Sequence, residues 1–359
     1  MAIPKTHKAA VYSEPGTNKI EIKEVETPKP GPGEVLVHLT HSGVCHSDYS
    51  IMMNAWDWLP AKTAPGQVGG HEGAGEIVEL GEGVTSLKLG ERVGIKWIAS
   101  ACMKPECPLC SEGSDQQCPE TKISGFYYPG TFQQYVVAPA RYATPIPNGV
   151  SSEEAAPIMC GGVTVFSGLR RAHLKPGQWV VVSGASGGLG HMAVQYAKAD
   201  GYKVIAVDHG SKKSIVVDKL HADAFVDFTQ FDDAGLAAEI HKIADGRGAH
   251  AVIVCNASKH VYDQALNYLR NNGTLVCVGL PEHDLNPIAN AIPAILIAKT
   301  ATITGSAVGN YAEAIEAVGV AASGKMKVQH RVEPLENLQK VFDEMAEGKL
   351  QGRVVLDLS

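Results

Sequence analysis

The sequence predicts an α/β protein in two parts, a β-rich first half and a second half built as a doubly wound parallel sheet. Two observations carry this. Residues 8–40 alternate turn signals with short β patterns. From Gln178 onward, continuous apolar runs alternate with helical patterns, and a glycine-rich segment lies between the first run and its helix.

The 359 residues suffice for two domains. A net charge of -7 argues against nucleic acid as the main partner, because phosphate binding needs a basic footprint. The N-terminus lacks the apolar core of a signal peptide, and no apolar run reaches membrane-spanning length, so a cytoplasmic protein with no membrane partner is expected. Composition is ordinary for a globular chain, and no repeat or low-complexity segment stands out.

Pro28 to Gly33 form a turn, and Glu34–Leu39 follows as a strand with Val35, Val37 and Leu39 on one face. Next comes Gly43-Val44-Cys45-His46-Ser47-Asp48, which brings a thiol, an imidazole, a hydroxyl and a carboxylate together where a strand gives way to a loop or helix. Tyr49 to Pro65 has no clear period; its Trp56 and Trp58 wall a pocket or serve as packing anchors. Gly70-His71-Glu72-Gly73 offers an imidazole in a glycine-rich setting, and Cys160 a further thiol ahead of an apolar helical pattern beginning near Val163. Cys45, His71 and Cys160 would leave a tetrahedral zinc one open position, the mark of a catalytic site. Taken singly, each is as easily a buried core residue.

Four of the eight cysteines fall between Cys102 and Cys118. Cys102, Cys107, Cys110 and Cys118, with Pro and Gly to bend the chain, suit a closed thiolate site, with a disulfide pair as the alternative.

In the second half, Val180–Ser183 reads as a strand buried on both faces, followed by Gly184-Ala185-Ser186-Gly187-Gly188-Leu189-Gly190 and a helix with Ala193, Tyr196 and Ala197 on one face. Such a turn lets backbone N–H groups meet a pyrophosphate at the helix N-terminus. In the closest G-x-G-x-x-G frame, Ala185, Gly187 and Gly190 occupy the glycine places. Strand Lys203–Val207 ends at Asp208, about twenty residues on, where a carboxylate accepts from ribose hydroxyls and repels a 2′-phosphate. NAD is therefore expected over NADP, although Lys212 and Lys213 lie close by. Runs at 224–228, 251–255, 275–279 and 301–305 bring the strands to about six.

GVCHSD followed by VGGHEGAG resembles the zinc signature of the medium-chain alcohol dehydrogenases, in their yeast-type branch. The resemblance covers essentially the whole chain. It implies a GroES-like catalytic domain over 1–156 and 307–359, with a structural zinc lobe near 98–122, and a Rossmann domain over 157–306. Two Zn2+ per subunit, NAD, and a homo-oligomer, tetramer rather than dimer, are implied as well. Cys45, His71 and Cys160 would be the catalytic ligands, the set known for the catalytic zinc of alcohol dehydrogenase, with Asp48 orienting His71. Glu72 would lie behind the metal, or act as a buried structural acid. The family usually spaces its early lobe cysteines by two residues. Here four separate Cys102 from Cys107, which leaves Cys102 open as the fourth ligand.

The resemblance makes Ser47 the proton acceptor from the alcohol, and His46 and Arg353 partners of the cofactor pyrophosphate; an exposed salt-bridging arginine is the alternative for Arg353. Lys213 would stand beside the ribose, with Gly184, Gly187, Gly188, Leu189, Gly190, Val278, Ser306 and Val308 completing the cofactor contacts. Trp97, with Trp56 or Trp58, would narrow the substrate pocket. Yeast-type relatives end the relay at a histidine three positions after the hydroxyl; here that position is Ser50. The implied reaction is reversible transfer of hydride between an alcohol and NAD. A reductase of a bulkier, pathway-specific aldehyde or ketone, and a non-enzymatic nucleotide-binding scaffold or redox sensor, are the alternatives.

Overall fold

A computed structural model describes residues 2–59, 61–126, 128–282, 287–350 and 352–359. The chain divides into two units, one of residues 1–163, 310–324 and 328–359, the other of residues 164–309 and 325–327. The division falls after Val163 and Gly309, later than the expected crossings at 156 and 306, and it leaves Cys160 in the first unit.

The first unit is organised on the long strand Glu34–Val44, whose Val35, Leu36, Val37 and Leu39 are all buried. Its expected one-sided alternation is lost because both faces are covered. Glu72–Leu80 pairs with it antiparallel, setting Gly43 opposite Glu72, and Arg353–Asp357 pairs on the other side, setting Val44 opposite Val354. These registers deliver His71, Glu72 and Arg353 to the end of the strand where Cys45 begins the next element. Strands 92–95, 144–145, 330–334 and 135–139 complete this sheet.

Helix His46–Met53 occupies the start of the stretch that showed no period in sequence. Its buried residues are Asp48, Ser50, Ile51 and Met52, a mixture of polar and apolar side chains that masks the helical pattern.

The second unit is a six-stranded, all-parallel sheet, bearing out the expected doubly wound fold. In spatial order its strands are 224–227, 203–208, 179–183, 249–254, 269–277 and 302–305. The order reverses between Trp179–Ser183 and Ala249–Val254, where such sheets place a ligand crevice. Among the described residues, no helix is long and apolar enough to cross a membrane.

Candidate active site

Cys45 ends the long strand and caps helix His46–Met53, so its sulfur lies at the positive end of the helix, which favours a thiolate. Asp48 reaches back from the same turn: its Oδ2 accepts from the Cys45 N–H at 2.9 Å, while its Oδ1 is 2.6 Å from His71 Nδ1. The aspartate three places after the cysteine thus serves backbone and imidazole together. Cys160 is delivered by a wide helical turn, Ile158–Gly162, that follows Pro157, where the missing N–H breaks the α-helical ladder.

The ligand atoms of Cys45, His71, Glu72 and Cys160 lie within 4.8 Å of one another. His71 is wholly buried, and its Nε2 has no hydrogen-bond partner among the described residues. Burial alone would lower the His71 pKa, but the charge and hydrogen bond of Asp48, helped by the nearby Cys45 sulfur, hold it well above the ordinary value. The hydrogen bond from Cys160, helped by His71, holds the Cys45 thiol well below its usual range, and the same contact, with burial, holds Cys160 well above it. Two sulfurs thus crowd a buried imidazole nitrogen that has no hydrogen-bond partner among the described residues. A divalent cation with soft and borderline ligands satisfies all three atoms, so the donor set fits zinc.

Glu72 and Arg353 form a buried ion pair against this cluster. Burial pushes the Glu72 carboxyl up to about 7 against the pull of Arg353. Gly43 makes room for the pair: a Cβ there would lie 2.0 Å from Glu72 Oε2. Sequence reasoning placed Arg353 at a pyrophosphate and did not find this pairing, because the partners are 281 positions apart.

His46 is exposed, with its ring 5.9 Å from that of Tyr49. Ser47 is half-buried, and its hydroxyl has no partner among the described residues. Ser50 is fully buried and donates to the His46 carbonyl, 3.0 Å away, one turn back. Three indoles make a series: Trp97 meets His71 edge-on at 4.8 Å, Trp56 meets Trp97 at 6.3 Å, and Trp58, 54% exposed, stacks on Trp56 at 5.6 Å.

The sulfurs of Cys102, Cys107, Cys110 and Cys118 also lie within 4.8 Å of one another, and all four thiols are free. The extra residues before Cys107 do not keep Cys102 away: its sulfur is 3.6 Å from that of Cys110. Asp115, inside the lobe, ties it to the domain by accepting from Tyr142 Oη at 2.6 Å and from the Tyr311 N–H. Lys96 lies buried beneath, donating to the Tyr142 carbonyl and Thr144 Oγ1, with its ammonium 4.1 Å from the Tyr142 ring centroid. Nothing in the sequence pointed to this lysine.

In the second unit Gly184, at φ +64, takes the turn after strand Trp179–Ser183; the G-x-G-x-x-G frame had assigned that place to Ala185. At Gly190 a Cβ would lie 2.0 Å from the Gly184 carbonyl, so only glycine lets helix Gly190–Ala199 approach. Gly187, Gly188 and Leu189 complete the loop. Asp208 ends its strand with Oδ2 accepting from the Ser186 N–H at 2.7 Å, which brings the carboxylate against the loop. Lys213 is exposed a short way beyond. Val278 and Ser306 both approach Gly168; Ser306 Oγ is buried without a partner among the described residues. Val308 holds φ +44, unusual for a β-branched residue.

These features define a zinc-binding dehydrogenase fold, and comparisons agree. Residues 31–148 match the alcohol dehydrogenase GroES-like domain and residues 188–323 the zinc-binding dehydrogenase domain. The chain is 54% identical to alcohol dehydrogenase 2 of Emericella nidulans, over 99% of each chain. Its structure resembles the alcohol dehydrogenase of Aeropyrum pernix (TM-score 0.84, 30% identity, 98% and 99% of the two chains). It also resembles an acetophenone reductase of Geotrichum candidum solved with NAD (TM-score 0.83, 28% identity, 99% and 98% of the two chains). The chain belongs to the zinc-dependent alcohol dehydrogenase family and is an oxidoreductase of that family.

Proposed function

We propose that this protein interconverts primary or secondary alcohols and the corresponding aldehydes or ketones with NAD, as a cytoplasmic homotetramer holding two zinc ions per subunit. The observation that carries the reading is the buried Nε2 of His71, without a partner among the described residues, within 4.8 Å of the sulfurs of Cys45 and Cys160. Bound by Cys45, His71 and Cys160, zinc would supply a Lewis acid that lowers the pKa of an alcohol hydroxyl, and NAD would supply the hydride acceptor.

The chain's own groups do the rest. Asp48 keeps the His71 proton on Nδ1 and so presents Nε2 as a lone pair. Arg353 offsets the negative charge that Glu72, Cys45 and Cys160 bring into one buried place. Ser47 Oγ would take the hydroxyl proton of the substrate. His46, exposed at the first helical position, is the pyrophosphate donor of this reading, and Arg353 shares that role only through nitrogens that Glu72 leaves unengaged, such as Nε. Trp97 and Trp56 wall the substrate and exclude water. Asp208 selects NAD by accepting from the ribose hydroxyls, with Lys213 alongside. Ser306 Oγ offers a hydrogen bond to the nicotinamide end, framed by Val278 and Val308. Cys102, Cys107, Cys110 and Cys118 would hold the second, structural zinc.

The indole series ending at the exposed Trp58 favours a second reading, reduction of a bulkier aldehyde or ketone. Turnover of ethanol against aromatic and branched aldehydes, with zinc content measured on the same sample, tests both. Zinc-replete protein that turns over neither class with NAD(H) sinks the proposal.

A further inference from the structure

The N-terminal edge of the parallel sheet, opposite the glycine-rich loop, gathers cations with little to balance them. Arg247 lies in the loop before strand Ala249–Val254, Arg270 begins strand Leu269–Cys277, and Lys299 ends helix Pro293–Lys299. With His241, Leu269 and Asn271 they line a groove of about 400 Å³.

Backbone carbonyls account for part of this. Lys299 Nζ donates to the carbonyls of Leu266 and Leu269, both at 2.9 Å, and Arg270 Nε donates to that of Gly248 at 3.1 Å. They do not account for the far end of Arg270. Arg270 Nη2 is buried with no partner among the described residues. Arg270 Nη1 lies 2.5 Å from His250 Nε2. The backbone N–H of Trp179 donates to His250 Nδ1 at 3.1 Å, so the neutral ring carries its proton on Nε2. Donor therefore faces donor. Burial and Arg247 both pull the Arg270 pKa down, and Asp245 is the acid that opposes them. Arg247 is exposed, and no carboxylate pairs with it among the described residues.

We propose that the groove formed by Arg247, Arg270 and Lys299 binds a phosphate or phosphomonoester anion. A tetrahedral dianion accepts from cations converging from three separate elements, whereas a planar carboxylate is satisfied by one arginine fork. The groove is large enough for a small organic group beside the phosphate. The site lies away from the Gly184–Gly190 loop and is independent of the reaction.

The test is calorimetric titration of the full-length, zinc-replete protein with inorganic phosphate, glycerol phosphate and acetate at constant ionic strength, with and without saturating NADH. Phosphate should bind, its binding should persist with NADH present, and acetate should not compete. Arg247→Gln and Arg270→Gln should each weaken phosphate about tenfold or more while leaving NADH affinity unchanged. Tighter glycerol phosphate would identify a phosphomonoester as the ligand; tighter phosphate would identify the free anion. Both support the site. If Arg270→Gln fails to fold, Arg247→Gln, at an exposed position, carries the test. Equal phosphate affinity in wild type and Arg247→Gln, no binding to wild type at millimolar phosphate, or equal binding of acetate would overturn the proposal.

Discussion

Asp48 Oδ1 lies 2.6 Å from His71 Nδ1, and the opposite nitrogen of that ring is buried without a partner among the described residues. The carboxylate thereby decides which nitrogen is offered to a metal. Asp48→Asn should lower zinc affinity at this site by about 10–100-fold, the usual cost of losing an orienting partner, and leave the four-cysteine site filled. Competition with a chromogenic chelator, read as one labile and one retained zinc, checks this. Loss of both ions at the same chelator concentration would contradict it.

Arg353 and Glu72 are buried together, so removing one leaves the other as an uncompensated charge. Arg353→Met should destabilise the protein by about 3–5 kcal/mol in urea unfolding, and the double variant Glu72→Gln with Arg353→Met should lose less. If the double variant is worse than the single by the full cost of Glu72→Gln alone, the two residues are not coupled.

Lys96 gives a pH signature. Burial lowers its pKa to about 7, against the opposing pull of Asp115. Between that value and the ordinary pKa of 10.5 the unfolded chain binds more protons than the folded one, so this group's contribution to stability rises with pH across that window and is lost as pH falls through about 7. Lys96→Met should flatten the rise, an effect of up to a few kcal/mol. Unfolding free energies of both proteins at pH 7 and pH 10 measure it; parallel curves would show that Lys96 stays charged on its two acceptors.

Asp208 should set the cofactor preference. Wild type is expected to favour NAD over NADP by more than about tenfold in kcat/KM, or about 1.4 kcal/mol, and Asp208→Ala to relax this. Equal values in the wild type would mean that Lys212 and Lys213 outweigh the carboxylate.

What the sequence disclosed followed from local chemistry. The glycine-rich turn, its flanking strand and helix, and Asp208 lie within one supersecondary unit, so spacing alone predicts their meeting. Cys45 and Asp48 share one helical turn, and the cysteines from 107 to 118 one loop. The rest depended on pairing across distant strands. Arg353 reaches Glu72 only because both of their strands pair with Glu34–Val44. Lys96 gave no signal in the sequence, because Tyr142, Thr144 and Tyr311, which close over it, are distant along the chain. Ser50, which stands where yeast-type relatives carry the relay histidine, is turned into the helix against the His46 carbonyl. Its neighbours in sequence gave no sign of that, because the buried face of helix His46–Met53 is itself partly polar.

The most direct test of the whole account is NADH formation from an alcohol as zinc is stripped from the Cys45–His71–Cys160 cluster and then returned. Activity should fall in proportion to the labile zinc, while the second zinc and the fold are retained, and should recover on adding Zn2+ alone. Alcohol-dependent NADH formation that persists after the labile zinc is gone, or that never appears with both sites filled, would contradict it.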